Sequence, residues 1–297
     1  MSIENIVFYH YPCNDGELAK TIWQLKYPKS KFVKWNHVEK HLAIDYINNI
    51  IEPRQIVFLD ICPTLDILPI KHKYIILDHH KNAVETLNLS LNGPHQYDIV
   101  VIYDILKSGC MLTWDYCFPT KVYPLVVKHI GNKDIWDFSD IDTEPYCLGY
   151  NDIINITNNN NMINSTIKVL LNSDTIPLHN MMIEIGNKMI KENQLNAGIY
   201  FCNIKYNKEI IDNIEYDIID IECSDTNIYK YLIEYAQKTY NSDVLRILHT
   251  KQPTINTYSL RSLKEHINVD TIARKYGGNG HMKAAGYSIT IDSHMYL

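Results

Sequence analysis

Short apolar runs alternate with helical periodicities through the first half of the chain. Residues 6–10 (IVFYH), 56–60 (IVFLD), 74–78 (YIILD) and 99–103 (IVVIY) are near-continuous apolar runs of strand length. Such runs suit strands buried on both faces. Residues 17–27 set Leu18, Ile22 and Leu25 on one helical face, and helical patterns return over 109–135. Strands alternating with helices predict a parallel sheet covered on both sides. Each of the first three strands ends in His or Asp (His10, Asp60, Asp78). In open parallel sheets the site lies just beyond the carboxyl ends of the strands.

The pattern changes further along. Residues 155–164 (NITNNNNMIN) are polar and of low complexity, and are expected to form a surface loop or insertion. Residues 177–197 read as a helix, with Met181, Met182, Ile185, Met189 and Ile190 as its apolar positions. A second unit is expected from residue 198, with strands at 199–204, 218–223, 244–249 and 257–260. A helix at 270–276 and a glycine-rich turn would follow. The fold class is therefore α/β, a parallel-sheet N-terminal domain (1–176) joined by a helix (177–197) to a smaller α/β C-terminal domain (198–297).

Composition narrows the function. The 297 residues are 46% hydrophobic and 21% charged, as in folded soluble proteins. No apolar run reaches the roughly 18 residues of a membrane span, so no membrane role is expected. The opening MSIENIVFYH lacks the basic and apolar regions of a secretion signal, which predicts a cytoplasmic setting. Seven cysteines without a CxxC pair read as reduced thiols. The net charge of -6 argues against a long basic track for duplex nucleic acid. A small phosphorylated substrate stays open, because bound cations supply positive charge locally.

Five segments could carry chemistry. Asp78-His79-His80 sets two imidazoles beside a carboxylate at a strand end, a costly grouping without polar partners or metal. In His10-x-x-Cys13-Asn14-Asp15-Gly16 a strand feeds a tight turn, and Asp15 opens a helix. Asp60 closes its strand, and Asp134 lies in GNKDIW. Gly277-Gly278-Asn279-Gly280-His281 frees the backbone to approach an anion. Each has an ordinary structural explanation when taken alone. Their occurrence together, in this order, makes five separate ordinary explanations improbable.

Taken with SLRS (259–262), Val269-Asp270 and KYGGNGHMKAAGY (275–287), these motifs resemble the DHH phosphoesterase superfamily. That superfamily includes RecJ-type exonucleases, nanoRNases, cyclic-dinucleotide phosphodiesterases and family II pyrophosphatases. The C-terminal segment resembles the DHH-associated domain of the RecJ and nanoRNase branch. The resemblance implies a hydrolase for phosphodiester bonds of short oligonucleotides or dinucleotides. It implies two divalent metal ions, manganese first, with cobalt, iron, zinc or magnesium as alternatives. By motif, His10 and Asp60 would hold one metal, and Asp15, Asp60, His79 and Asp134 the other. Asp78 would orient the imidazoles, and His80 would lie near the reacting phosphate. Gly278, Gly280, His281 and Arg261 would hold the phosphate or terminal nucleotide. In YDILKSGCMLTWDY (103–116), Asp104 reads as a cap and Trp114 as core packing. The chain departs from the family at its first motif, where Cys13 or Asn14 fills the place of an acid. Cys13 could serve as a soft ligand. The alternative is a nucleotide-binding protein of the same fold with impaired catalysis.

Overall fold

A computed structural model describes residues 5–36, 40–92, 96–157, 160–172, 176–251 and 255–290. The chain divides into two compact units, Met1–Asn187 and Lys188–Leu297.

The first unit is built on five parallel strands: β1 (Asn5–His10), β2 (Lys31–Trp35), β3 (Gln55–Leu59), β4 (Lys73–Asp78) and β5 (Asp98–Tyr103). Their order in the sheet is β2-β1-β3-β4-β5. Alternation along the strands sends side chains to two cores. Val7, Tyr9, Val57, Leu59, Ile75 and Leu77 bury on one face with Leu18 and Ile22 of α1 (Asn14–Lys26). The same core takes in residues of α4 (Gly109–Cys117) and α5 (Leu125–Asp134). Ile6, Phe8, Ile56, Phe58, Tyr74 and Ile76 bury on the other, against α2 (Lys40–Asn48) and α3 (Lys81–Leu91). Each such side chain contributes about 1.5–3 kcal/mol by leaving water. This double burial is why the strands read as unbroken apolar runs. The chain runs from β1 outward to β2, then crosses back to β3 and continues to β4 and β5. The β1/β3 pair is therefore the topological switch point, where such sheets open a crevice.

One strand of this unit is not expected from the sequence, and two local expectations need correction. Strand β2 (KFVKW) is an edge strand with few buried residues, so its apolar signal is weak. The expected loop at 155–164 is mostly helical: α6 (Thr143–Thr157) and α7 (Asn160–Leu170) enclose it, and residues 158–159 lie outside the described residues. Ile153, Ile154, Ile163, Ile167 and Leu170 pack on the core and hold these helices despite the asparagines. Leu25, set above on one helical face with Leu18 and Ile22, is exposed, while those two are fully buried.

Helix α8 (Ile176–Ala197) carries the chain from the first unit into the second, burying Met182 in the former's core and Ala197 in the latter's. The second unit has a six-stranded sheet of order β10-β11-β9-β8-β7-β6. Its strands are β6 (Lys205–Ile211), β7 (Ile214–Glu222), β8 (Val244–Lys251), β9 (Ile255–Ser262), β10 (Asn279–His281) and β11 (Ala284–Thr290). Among the described residues of this sheet, only β7 and β8 pair in parallel. Helix α9 (Tyr229–Thr239) covers one face and α10 (Val269–Lys275) the other. The strand expected at 199–204 is instead a 3-10 turn (Gly198–Phe201). There Phe201 buries against Tyr235 and Tyr240, while Ile199 faces out. The sheet begins later, at β6, whose polar KYNKEII has no apolar run to announce it.

Candidate metal centre

Four chain segments deliver the candidate ligands to the switch point. Strand β1 ends at His10, and the turn after it starts α1, which carries Asp15 in its first turn. Gly16 permits that turn, since a Cβ there would lie 2.3 Å from the carbonyl oxygen of His10. Asp60 follows β3 with φ of 60°, a left-handed conformation uncommon for residues other than glycine. Such backbone costs about 1–3 kcal/mol and collects at functional sites. Strand β4 delivers Asp78, with His79 and His80 behind it, and Asp134 is the last residue of α5.

These side chains converge. His10 Nδ1 is 3.1 Å from Asp60 Oδ2. His79 Nε2 lies 3.3 Å from Asp60 Oδ1 and 3.0 Å from Asp134 Oδ2. Asp78, fully buried, accepts from the amides of His79 (2.8 Å) and His80 (3.3 Å) and bonds His80 Nδ1 at 2.7 Å. It therefore fixes the imidazole of His80 and only the backbone of His79. His80 is half exposed and lines a cleft of about 350 Å³ with Trp35, Cys62 and Asp66.

Helix α4 completes the site from behind. Asp15 Oδ1 accepts from Ser108 Oγ (2.7 Å) and the amide of Cys110 (3.0 Å). A Cβ on Gly109 would come within 2.5 Å of Asp60 Cβ and 2.8 Å of Asp15 Oδ2. Glycine thus lets the positive end of α4 press on two carboxylates. The sequence reading missed Ser108, Gly109 and Cys110, although Ser before a helical apolar run is an N-cap signal. Ser108 is the cap of α4, accepting from the amide of Met111. Asp104, assigned that duty above, instead accepts from Leu106 in the preceding turn. Trp114 is buried, with its Nε1 donating to the carbonyl of Lys121.

The residues fit a metal pair. Asp15 Oδ2, Asp60 Oδ1, Asp78 Oδ2 and His79 Nε2 are buried without a hydrogen-bond partner. Orphaned buried polar atoms of this kind call for an explanation, and an ion is one. His79 Nε2 is close to two carboxylates yet aligned for a hydrogen bond with neither, as expected of ligands aimed at a common point. Donor atoms of Asp15, Asp60, His79 and Asp134 all lie within 4.8 Å of one another, as do those of His10, Cys13 and Asp60. The two groups share Asp60.

Electrostatics agree. Burial, then Asp60 and Asp134, push Asp15 well above the usual carboxylate range. Burial would raise Asp60 too, but the imidazoles of His10 and His79 close beside it outweigh burial and hold the carboxyl at about 2. Burial would lower His79, but Asp134 and Asp60 raise it to about 10. Three acids crowd one buried spot, and a proton on His79 offsets part of their charge. A divalent cation would offset more.

The candidate substrate residues lie in the second unit. Arg261 of β9 and His281 of β10 both pair with Ala284 of β11, which places them on one line across three strands. Residues directly opposite across a sheet share a face. The Arg261 guanidinium sits 5.5 Å over the Tyr229 ring and donates to the carbonyl of Leu260. No carboxylate pairs with it among the described residues. The glycines have packing roles. Gly277, at φ of 75°, ends α10, and the amides of Gly277 and Gly278 donate to Arg274 and Ala273. Those two amides are not the exposed anion nest expected from the sequence. A Cβ on Gly278 or Gly280 would collide with β11.

No protein-family model matches the chain. It is 23% identical to the uncharacterized protein R106 of Acanthamoeba polyphaga mimivirus, over 96% of this chain and 68% of that protein. It is 25% identical to oligoribonuclease NrnB of Bacillus subtilis (strain 168), over 73% of this chain and 53% of NrnB. The chain therefore spans about two thirds of the first relative and about half of the second. In fold it is similar to the pGpG-specific phosphodiesterase PggH from Vibrio cholerae, with a TM-score of 0.50 and 12% identity. That match covers 98% of this chain and 94% of PggH. The likeness is one of fold, with a parallel sheet at whose strand ends this chain carries the Asp78-His79-His80 triplet and its partner acids. No helix among the described residues is long and apolar enough to cross a membrane.

Proposed function

We propose that this protein is a metal-dependent phosphodiesterase acting on short oligonucleotides or dinucleotides. The observation that carries the reading is the gathering of His10, Asp15, Asp60, His79 and Asp134 into two adjoining groups that share buried Asp60, with carboxylate oxygens left unpartnered. Similarity to an oligoribonuclease adds support for the substrate class.

His10 and Asp60 would hold one divalent cation, and Asp15, Asp60, His79 and Asp134 a second, with manganese the first candidate. A bound pair supplies Lewis acidity, lowering the pKa of water and neutralising charge on phosphoryl oxygens. The chain's own residues do the rest. Ser108 and the Cys110 amide fix the Asp15 carboxylate, so that its free oxygen needs no reorientation to bind. Asp78 locks His80 Nδ1, which leaves Nε2 to hydrogen-bond a phosphoryl oxygen or the departing hydroxyl. The 350 Å³ cleft beside His80 has room for about one nucleotide, in keeping with a small substrate. In the second unit, Arg261 and His281 share one face of the sheet and would anchor a phosphate or terminal nucleotide, with Gly278 and Gly280 shaping that edge.

Purified protein with Mn²⁺ should release mononucleotides from a 5′-phosphorylated dinucleotide, and chelator should stop the release. Asp60→Ala should reduce turnover by at least about 10²-fold. Turnover that survives Asp60→Ala would reject the shared-ligand assignment. Absence of turnover in the manganese-loaded protein would reject this substrate.

A further inference from the structure

The proposed function leaves Cys13 without a role, although Cys13 stands among the ligands. Its Sγ, a ring nitrogen of His10 and a carboxylate oxygen of Asp60 lie within 4.8 Å of one another. Cys13 occupies the N-cap position of α1, where a polar side chain ordinarily bonds the first amides of the helix. Here the Cys13 side chain closes no capping hydrogen bond. A cysteine beside two polar groups is not a site by itself. The independent sign of a ligand is Asp60, a member of this cluster, whose side chain is 1% exposed and whose Oδ1 has no hydrogen-bond partner.

We infer that Cys13 is the third protein ligand of the first cation, and that its thiolate makes this position select a borderline-soft metal such as Zn²⁺, Fe²⁺ or Co²⁺. The inference rests on reading the cluster as a metal centre. Its basis is the difference between the two donor sets. Imidazole, thiolate and carboxylate from His10, Cys13 and Asp60 form an N, S, O set, which hard cations such as Mg²⁺ avoid. Asp15, Asp60, Asp134 and His79 form an oxygen-rich set that suits Mn²⁺. The pair is thus asymmetric, one position soft and the other hard, with Asp60 common to both. On binding, the thiol proton leaves to solvent and a sulfur–metal bond forms, with no change of oxidation state. Three protein ligands leave a further position for water or substrate, as in catalytic rather than structural zinc sites.

The test reads the sulfur directly. Full-length protein is titrated with Co²⁺, and the near-ultraviolet sulfur-to-cobalt charge-transfer band is followed in wild type, Cys13→Ser and Cys13→Asp. The band should grow with the first equivalent in wild type and be absent from both variants. Cys13→Asp should also lose at least about tenfold in preference for Zn²⁺ over Mn²⁺. A wild-type spectrum without the band, or one that Cys13→Ser leaves unchanged, overturns the assignment. Should the variants fail to fold, alkylation of the wild type decides. Zn²⁺ should protect Cys13 while exposed Cys202 labels equally with and without metal. Equal labelling of Cys13 in both conditions overturns the inference. The band needs no turnover, so the two readings fail separately. A Cys13-dependent band without dinucleotide hydrolysis rejects the proposed substrate and keeps the ligand. Hydrolysis without the band does the reverse.

Discussion

Each unit of this protein buries a knot of charge, and the two knots are built on opposite principles. In the second unit, Arg246 donates to both oxygens of Asp220 and to Glu209, while Tyr276 serves the other oxygen of Glu209 at 2.9 Å. Tyr287 and Asn207 close the remaining positions. Every charge has its partner, and the group needs nothing from outside. In the first unit, Asp15, Asp60 and Asp134 crowd together with two imidazoles, and several buried atoms stay unpaired. Helix α4 and the left-handed backbone at Asp60 hold the acids close in spite of their repulsion. A buried ionic network that satisfies itself serves the fold. One that is held together yet incomplete keeps buried atoms that a cation could satisfy.

The difference predicts opposite responses to losing a charge. Arg246→Ala leaves two partly buried carboxylates unpaired and should destabilise the protein by about 3–5 kcal/mol in denaturant titration, with metal stoichiometry unchanged. Asp15→Asn removes one of three crowded acids, so the chelated protein should be at least as stable as wild type. A cost below about 1 kcal/mol for Arg246→Ala would break the comparison. A smaller effect sharpens it. Burial would raise Asp243, but the Asp217 amide (2.9 Å) and Lys264 (2.8 Å) outweigh burial and hold its carboxyl below the ordinary range. Its contribution is therefore present above the unfolded value near pH 4 and is lost as pH falls through the lower folded value. Asp243→Asn should cost about 1 kcal/mol at neutral pH. Stability curves of variant and wild type should converge in acid; a constant gap across pH would refute the paired reading.

The centre was more legible in the sequence than its supports. His10, Asp60 and Asp78 stand at the ends of doubly buried strands, so the apolar runs mark both the sheet and the point where chemistry collects. Ser108 and Gly109 act across a sequence separation of about ninety residues, and no local pattern ties them to Asp15. Nor does periodicity reveal that Asp60 adopts a left-handed backbone. The helices around residues 155–164 escaped because asparagines dilute the few isoleucines that fasten them. Strand β6 escaped because its pairing is made by the backbone, with mostly exposed side chains. In the glycine-rich turn the residues were noticed, but their work is partly internal, closing α10 and admitting β10 against β11.

The central claim is that Asp60 is shared between two cations at the switch point of the first sheet. Metal stoichiometry after Mn²⁺ loading and desalting tests it most directly, in wild type and in Asp60→Asn, a change that removes the charge while tolerating the left-handed backbone. The account predicts about two ions per chain in wild type and loss of both in Asp60→Asn, with circular dichroism unchanged. Equal stoichiometry in the two proteins, or no bound metal in a folded wild type, would contradict it.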